Sequence, residues 1–246
     1  MYTCKMVLNF LERMTMTTFH ARPYVIINAA MSVDGKIDTI ERNGASISSE
    51  EDKRRVLELR AQVDAVMVGG NTLLKESPKL TVKLPELEKL RIANKLPANP
   101  AKIGIISNAN GLNIHGNFIT AGPARRIVFT TNQTSAEQVN VLQELGVEVY
   151  QIGEKRVDLQ QALDTLSRLG IRTVMLEGGG TLIAEFIRLG LADELRVYIA
   201  PKIFGGSSAP TLVDGDGWTE SAAKKLTLVD ARVFDQTGGV LIVYRL

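Results

Sequence analysis

The chain has 246 residues, of which 45% are hydrophobic and 23% are charged, and its 29 Lys and Arg residues nearly balance 27 Asp and Glu residues. This composition is typical of a globular protein and argues against a disordered, collagen-like or coiled-coil chain. No run of about 18 apolar residues is present, so no membrane span is predicted. A net charge of +2 and an aromatic content of 5% also offer little to a nucleic acid, so no nucleic-acid partner is expected.

Cysteine and histidine are scarce in this sequence. Cys4 is the only cysteine, which excludes an intrachain disulfide and a cysteine-rich metal site. The two histidines, His20 and His115, lie too far apart in sequence for a helical His-pair zinc motif. No nucleophile-elbow pattern accompanies them. We therefore expect a cytoplasmic protein whose chemistry uses no bound metal.

The N-terminal residues differ in character from the rest of the chain. Residues 1–21 contain an apolar stretch that charged residues interrupt and that is too short for a signal-peptide core. We interpret them as a poorly ordered N-terminal extension, and residues 22–246 as one domain. That domain opens with a short β-branched run at residues 24–29, YVIINA, which predicts a buried strand.

Helices and strands then alternate along the chain. The first helix begins at a capping box of Ser48 and Glu51, and a later one at a cap provided by Thr134 or Ser135. In chain order, the predicted helices lie at residues 48–62, 134–146, 158–169 and 181–189. The strands that follow the first one are predicted at residues 63–68, 102–107, 126–130, 147–151, 171–176 and 195–200. Four prolines between residues 77 and 100 predict a loop-rich crossing, with one helical turn near 85–93.

The C-terminal residues break this alternation. Two strands, near residues 224–234 and 238–245, follow each other with only a short turn between them, so they should pair antiparallel. Alternating strands and helices elsewhere predict a parallel sheet with helices on its faces. The predicted fold is therefore an α/β domain with a mixed sheet that is mainly parallel and has an antiparallel C-terminal edge.

A glycine-rich turn at residues 177–180 is the most informative local pattern. An apolar strand ends at Glu177, three glycines follow, and a helix begins. Glycines allow a ligand to approach the backbone, and a helix N-terminus offers free N–H groups to an anion. The spacing fits neither a dinucleotide fingerprint nor a phosphate-binding P-loop. A tight strand-to-helix turn without a ligand is an equally good interpretation.

Other candidate positions are weaker when each is taken alone. The sequence Gly69-Gly70-Asn71-Thr72 follows another predicted strand, so a second glycine turn is expected to flank the same crevice. Asp34 lies in an Asp-Gly pair after the first strand, where an ordinary β-turn is the simpler interpretation. Arg60 and Lys83 are candidates for binding a phosphate, although single basic residues usually belong to a solvated surface.

Four segments together resemble a known family. They are AMSVDGKI (30–37), SISSEEDKRRVLELRAQVDAVMVGGNTLLKESPKLTV (46–82), VMLEGGGTLIAEFIRLGLADEL (174–195) and YIAPKIFGGSSAPT (198–211). In order and spacing they resemble the reductases of riboflavin biosynthesis, which occur as stand-alone enzymes and as the C-terminal domain of a bifunctional deaminase-reductase. The resemblance implies a dihydrofolate-reductase-like fold, a homodimer, and NADPH as the hydride donor.

The resemblance also implies a reaction. NADPH reduces the ribosyl side chain of 2,5-diamino-6-ribosylamino-4(3H)-pyrimidinone 5′-phosphate to the ribitylamino form, which needs the nicotinamide held close to C1′ of this phosphorylated pyrimidine. Three alternatives remain open at this point. They are the deaminated pyrimidine as substrate, another NADPH reductase of the same fold, and a nucleotide-binding module without catalysis.

Cofactor roles carry over to this sequence residue by residue. Ala30 is expected behind the nicotinamide, and Thr72 and Glu76 at positions that bind NADP in the family. The adenosine end is expected at Ser107, Asn108, Ala109, Asn110 and Gly111. The pyrophosphate or nicotinamide side is expected at Gly179, Gly180, Thr181 and Leu182. Glu76 departs from the Asp that is common in the family, which puts its contact in question.

Substrate roles carry over in the same way. Glu177 is expected to hold amino groups of the pyrimidine, and Arg60 and Lys83 to hold the phosphate. Lys83 stands where the family often has arginine, and lysine lacks the bidentate fork of a guanidinium. Asp34 is expected beside the reacting centre, where it either orients the substrate or transfers a proton.

Overall fold

The computed structural model describes residues 22–246, so the extension predicted for residues 1–21 lies outside the described residues. The described chain forms nine strands: β1 (Tyr24–Ser32), β2 (Ala65–Gly69), β3 (Ala101–Ile105), β4 (Arg126–Thr130), β5 (Glu148–Gln151), β6 (Thr173–Leu176), β7 (Glu194–Ala200), β8 (Thr227–Val233) and β9 (Val240–Arg245). Its helices are α1 (Glu50–Gln62), α2 (Gly70–Lys75), α3 (Pro85–Ala93), α4 (Asn117–Thr120), α5 (Ala136–Glu144), α6 (Leu159–Arg168) and α7 (Gly180–Arg188), with one 3₁₀ turn at Glu220–Ala222.

All nine strands belong to one sheet, in the order β5-β4-β3-β2-β6-β1-β7-β9-β8. The strands from β5 to β7 pair parallel, whereas β9 runs antiparallel to both β7 and β8. The antiparallel edge arises because a turn this short between β8 and β9 reverses the direction of the chain. The predicted mixed sheet, mainly parallel with an antiparallel C-terminal edge, is therefore confirmed.

Helices cover both faces of the sheet because its central strands are apolar on both sides. Ile27 of β1 belongs to the cluster on one face, together with Leu163 of α6 and Phe186 of α7. Its neighbour Ile26 points to the opposite face, where it joins Leu59 of α1. Within residues 22–246 the longest helix has 13 residues, and none is long and apolar enough to cross a membrane.

Local structure differs from the sequence prediction at three helix starts. Ser49, not Ser48, caps α1, because the Ser49 hydroxyl accepts the backbone N–H of Asp52 at 3.1 Å while Ser48 donates to the Asp52 carboxylate. The predicted capping box of Ser48 and Glu51 is therefore wrong by one residue. The short helices α2 and α4 were not predicted. Helix α2 begins directly at the second glycine turn, where only a turn was expected.

The carboxyl and amino ends of the parallel strands carry different groups. Strand β6 lies between β1 and β2, so the carboxyl ends of these three strands lie side by side, in the kind of crevice where open α/β sheets bind ligands. At the amino ends of the strands, Asp193 directly precedes β7. Its carboxylate pairs with Arg22 at 2.8 Å, and its carbonyl accepts the backbone N–H of Leu246 at 3.1 Å.

Candidate active site

The carboxyl edge holds two predicted cofactor positions and the second glycine turn. Ile27 of β1, Leu176 of β6 and Met67 of β2 form a row across the sheet. Three residues beyond each of them stand Ala30, Gly179 and Gly70. Ala30 lies within β1, whereas Gly179 and Gly70 lie just past the ends of β6 and β2, so all three stand at the carboxyl edge of the sheet.

Hydrogen bonds join the two glycine turns. The backbone N–H of Gly69 donates to the carbonyl of Gly178 at 3.0 Å, and the N–H of Glu177 donates to the carbonyl of Met67 at 2.9 Å. The peptide bond between Gly178 and Gly179 is cis. The Leu182 side chain lies 3.4 Å from where a Cβ on Gly69 would stand, so the turns also pack together. The structure thus makes one wall from two segments that the sequence places far apart.

The N-terminus of α7 opens toward free space. Its N-cap is Gly179, which has no side chain to accept the first N–H groups. Within the described chain, the backbone N–H groups of Gly180 and Thr181 donate to no protein acceptor. A Cβ on Gly178 or Gly179 would meet no atom within 4 Å. Free N–H groups beside open space at a helix N-terminus suit an anionic group such as a pyrophosphate.

Gly180 is required by close packing. A Cβ at this position would stand 2.4 Å from the carbonyl oxygen of Thr211 and 2.9 Å from Oδ2 of Asp214. The segment that holds Thr211 also bridges to the turn after β1, where Lys36 pairs with Thr211. The turn after β1 and the glycine turn after β6 are therefore linked through the segment around residue 211.

Asp34 is held in the turn after β1 by donors on two segments. Its carboxylate accepts the Ser32 hydroxyl at 2.6 Å and the backbone N–H groups of Phe204 at 3.2 Å and Gly205 at 2.7 Å. The Ser32 hydrogen bond and these backbone donors outweigh desolvation and lower the pKa of Asp34 to about 2. The carboxylate is thus ionised at neutral pH, which suits orientation of neighbouring groups and opposes a role as proton donor.

Arg60 and Glu177 form one ion pair. Nε of Arg60 donates to Oε1 of Glu177 at 2.6 Å and Nη2 donates to Oε2 at 2.7 Å, while Nη1 donates to the carbonyl of Thr81 at 2.9 Å. The two side chains are only 10% and 14% exposed. Burial alone would lower the pKa of Arg60, but the charge and hydrogen bonds of Glu177 outweigh it and raise that pKa. The two residues had been assigned separate tasks in binding substrate, and the structure brings them into direct contact.

Lys83 lies close to this pair and is exposed. Partial burial and the nearby charge of Arg60, with a contribution from Lys79, lower the pKa of Lys83. Lys83 has a left-handed backbone with φ of 59°, and Ser77 and Leu80 are also left-handed, with φ of 43° and 52°. Such conformations in non-glycine residues concentrate at functional sites. A cavity of about 630 Å³ beside this segment is lined by Lys79, Thr81, Lys83, Glu88, Asn99, Asn117, Ala121 and Gly122.

Thr72 lies on the short helix that follows the second glycine turn, and Glu76 is the C-cap of that helix. The Thr72 carbonyl accepts the backbone N–H of Glu76 at 3.0 Å, so their relative position is fixed by α2. Partial burial and the charge of Asp38 raise the pKa of Glu76. Burial would also raise the pKa of Asp38, but backbone N–H donors of Ala45, Gly44 and Thr39 lower it. An acidic pair therefore lies at this end of the crevice.

The loop expected at the adenosine end follows β3. The carbonyl of Ser107 accepts the Thr131 hydroxyl at 2.7 Å, and the N–H of Ala109 donates to the Thr134 hydroxyl at 2.9 Å. Ala109 is fully buried, whereas Asn108, Asn110 and Gly111 are exposed. The buried Ala109 anchors the loop, and the exposed residues remain the candidates for contact with a nucleotide.

Two residues that contribute to this site were not identified from the sequence. Ser32 is fully buried, and its hydroxyl orients the Asp34 carboxylate. The Ser-x-Asp-Gly spacing was a usable signal, because serine and aspartate in this pattern form hydrogen-bonded turns. Asp214 packs on Gly180 and accepts the Thr211 hydroxyl at 2.6 Å. Nothing local in the sequence links it to Gly180.

Comparison with known families and proteins agrees with this geometry. Residues 23–239 match the family model described as the RibD C-terminal domain. The chain is similar to the 2,5-diamino-6-ribosylamino-4(3H)-pyrimidinone 5′-phosphate reductase of Methanothermobacter thermautotrophicus, with 43% identity over 82% of this chain and 88% of that protein. Similarity to the reductase of the same name from Archaeoglobus fulgidus is 40% identity, over 80% of this chain and 89% of that protein.

A solved structure shares the fold. Acinetobacter baumannii RibD superimposes with a TM-score of 0.75 at 25% identity, over 96% of this chain. The match covers 60% of that longer protein, so this chain spans about three fifths of its length. The dihydrofolate-reductase-like fold implied by the resemblance is thereby confirmed.

Proposed function

The chain belongs to the RibD C-terminal domain family, and we propose that it reduces the ribosyl side chain of 2,5-diamino-6-ribosylamino-4(3H)-pyrimidinone 5′-phosphate with NADPH. Its relatives at 40% and 43% identity carry the name of that reductase of riboflavin biosynthesis. The observation that carries the proposal is the shared crevice at the carboxyl edge. There the free N–H groups of Gly180 and Thr181 follow Glu177 directly after the glycine turn, and Arg60 holds the Glu177 carboxylate.

NADPH fits the cofactor side of this crevice. The uncapped N-terminus of α7 offers two N–H groups to a pyrophosphate, and the open space at Gly178 and Gly179 admits a ligand against the backbone. Ala30 lies near the carboxyl end of β1, where it would back the nicotinamide. Thr72 on α2, Glu76 at the C-cap of α2 and the exposed residues of the loop after β3 would hold the remainder of NADPH. When bound, NADPH supplies the hydride.

The pyrimidine fits the opposite side of the crevice. Each oxygen of Glu177 accepts one hydrogen bond from Arg60 and retains capacity for another, so the carboxylate can receive ring amino groups. Reduction adds a hydride to C1′ of the ring-opened imine and a proton from solvent to its nitrogen. Asp34, with its low pKa, does not supply that proton, and its task is to hold the turn after β1 against Gly205.

Turnover tests the proposal. NADPH oxidation is followed by absorbance with the 2,5-diamino pyrimidine phosphate and, separately, with its deaminated product. We expect turnover of the diamino form. Preference for the deaminated form would assign the other substrate, and no oxidation with either would contradict the function. Comparable kcat/KM with NADH would contradict the choice of cofactor.

We also propose that the protein is a cytoplasmic homodimer. Strand β8 pairs only with β9 within the described chain, and its free edge exposes Leu228, Val229 and Val233. A second β8 paired antiparallel about Ala231 would place Asp230 of one copy opposite Arg232 of the other, with complementary charges. Sedimentation at several concentrations tests this, and a Val233→Lys variant should shift the equilibrium toward monomer.

A further inference from the structure

Two Asn-Gly pairs occur in the sequence, Asn43-Gly44 and Asn110-Gly111. In such a pair the backbone nitrogen of glycine can attack the carbonyl carbon of the Asn side chain, because glycine has no Cβ to hinder the approach. The attack requires a side chain that is free to turn toward that nitrogen, and the two pairs differ in this freedom.

The Asn110 side chain is held at both ends. Its Oδ1 accepts the backbone N–H of Ser135 at 2.9 Å, and its Nδ2 donates to the carbonyl of Gln133 at 3.3 Å. The pair also lies in the middle of a turn, which the N–H of Leu112 closes by donating to the carbonyl of Ala109 at 3.0 Å. Attack at Asn110 would have to break both side-chain hydrogen bonds.

The Asn43 side chain is much less restrained. Within residues 22–246, its one hydrogen bond joins Nδ2 to Oε2 of Glu41 at 2.9 Å, and both residues are exposed. A Cβ on Gly44 would meet no atom within 4 Å. The surroundings therefore leave room for the tetrahedral intermediate of an attack on Asn43.

A carboxylate already contacts the proton that the attacking nitrogen must lose. Oδ2 of Asp38 accepts the backbone N–H of Gly44 at 3.0 Å, and Oδ1 accepts those of Thr39 and Ala45 at 2.7 and 2.9 Å. Burial would raise the pKa of Asp38, but these backbone donors lower it, so the carboxylate is ionised at neutral pH. The N–H bond lies in the peptide plane and attack occurs perpendicular to that plane, so this hydrogen bond does not block the attack.

We propose that Asn43 is a site of spontaneous deamidation, with Asp38 as the proton acceptor. The Gly44 nitrogen forms a bond to Cγ of Asn43 while its proton passes to Oδ2 of Asp38. The bond from Cγ to Nδ2 then breaks, and Nδ2 leaves as ammonia with the proton that Asp38 returns. Water opens the resulting cyclic imide at either carbonyl, which yields aspartate or isoaspartate at position 43. No oxidation or reduction takes place.

The product alters the cofactor side of the crevice, a consequence that rests on the proposed function. Residue 43 gains a negative charge, and isoaspartate lengthens the main chain inside the loop that donates to Asp38. The charge of Asp38 acts on Glu76, which lies where NADPH is proposed to bind. Added negative charge opposes an anionic cofactor, so conversion should raise KM for NADPH by about threefold and leave kcat unchanged.

The primary test uses the wild-type protein alone, incubated at mildly alkaline pH. Peptide mapping by mass spectrometry follows the change from amide to acid at each Asn-Gly pair, and a protein isoaspartyl methyltransferase labels isoaspartate. We expect conversion at Asn43 to be about tenfold or more faster than at Asn110, whose two hydrogen bonds must break first. Conversion at Asn43 no faster than at Asn110 would overturn the inference.

Two variants of the same loop test the proton acceptor. Asp38→Asn removes the carboxylate that contacts the Gly44 N–H, and it should slow conversion at Asn43 by about tenfold. Glu41→Gln removes a carboxylate that contacts only the side chain, and it should convert as the wild type does. Equal rates in the two variants would contradict the role of Asp38, and conversion at Asn110 is the internal reference that each variant is folded.

Asn43→Gln tests the consequence, because glutamine would have to close a larger and much less favourable ring. After the same incubation, KM for NADPH should rise in the wild type and stay constant in Asn43→Gln. An equal rise in both proteins would contradict the effect of residue 43 on the cofactor. If the fresh wild type shows no turnover, the proposed function fails separately, and peptide mapping still decides whether Asn43 deamidates.

Discussion

The two ends of helix α1 each meet a buried carboxylate, and the two carboxylates are satisfied in different ways. At the C-terminal end, Arg60 gives Glu177 a guanidinium. At the N-terminal end, Ser49 and Tyr198 donate hydroxyl groups to Oδ2 of Asp235, each at 2.7 Å. No cation touches Asp235 in the described part of the chain.

Asp235 is saturated by neutral donors. Besides the two hydroxyl groups, its Oδ1 accepts the N–H and hydroxyl of Thr237 and the N–H of Gly239. Hydrogen bonds from Thr237, Ser49 and Tyr198 hold the pKa of Asp235 well below its usual range. Five donors exceed the four lone-pair sites of a carboxylate, so no capacity remains for a ligand.

The comparison separates a structural carboxylate from one that is free to bind. Asp235 fastens the β8–β9 turn to the start of α1 and faces no crevice. Glu177 keeps an acceptor site on each oxygen and stands beside the glycine turn. Burial of a carboxylate alone does not distinguish these tasks, whereas the number and charge of its donors does.

The largest effect on stability should come from breaking the ion pair between Arg60 and Glu177. Arg60→Met leaves the Glu177 charge buried without a partner, so the free energy of unfolding should fall by about 3–5 kcal/mol. Urea denaturation measures it. The combined Arg60→Met and Glu177→Met variant should recover most of the loss, since no buried charge remains. An Arg60→Met variant as stable as Arg54→Met, whose parent residue is exposed, would contradict the buried pair.

Changes at Asp235, at the N-terminal end of α1, should lower the free energy of unfolding by less, and the contribution of Asp235 should depend on pH. In Asp235→Asn, one acceptor oxygen becomes an NH₂ group that faces other hydrogen-bond donors. The free energy of unfolding should therefore fall, though by less than in Arg60→Met, and kcat/KM should not change. Because the folded pKa of Asp235 lies below its unfolded value, its contribution is complete above about pH 4 and is lost as pH falls toward the folded pKa.

Urea denaturation at neutral and acid pH checks both statements. The wild type should lose more stability than Asp235→Asn between about pH 4 and pH 2. Asp34, whose pKa is also lowered, is present in both proteins and cancels in the difference. Parallel pH profiles for the two proteins would show that Asp235 is not the group that titrates.

The smallest effect concerns the cap itself. Ser49→Ala removes the acceptor for the Asp52 N–H and one donor to Asp235, so it should cost about 1–2 kcal/mol. Ser48→Ala removes only a hydroxyl that donates to Asp52 and should cost less. Thermal unfolding of the two variants measures the difference. Equal losses of stability would mean that Ser48 and Ser49 share the capping role.

The fold could be predicted because its signals are local. Alternation of apolar strands and capped helices lies within short windows, and β4 (Arg126–Thr130) was predicted to the residue. Helix α4 was missed because a distant residue stabilises it. The ammonium of the buried Lys102 donates to the carbonyls of Asn117 and Phe118 within that helix and of Ala121 directly after it.

Candidate residues for the site could be named from the sequence, whereas the contacts between them could not. The glycine turns and Glu177 stood out because glycine and a carboxylate after an apolar strand are locally unusual. The pairing of Arg60 with Glu177 joins positions 117 residues apart, and no periodicity reports such a distance. The choice of Ser49 over Ser48 likewise depends on Asp235, 186 residues further along the chain.

Asp193 makes the described chain nearly circular. Arg22 and Leu246 both bind this one residue, at the edge of the sheet opposite the crevice. In a variant that begins at residue 22, a short linker between these two positions would close the backbone without approaching the crevice. New termini opened in an exposed loop, such as the one between β5 and α6, should then yield a circular permutant that folds and keeps its crevice. The order of segments along the chain is thus separable from the architecture they build.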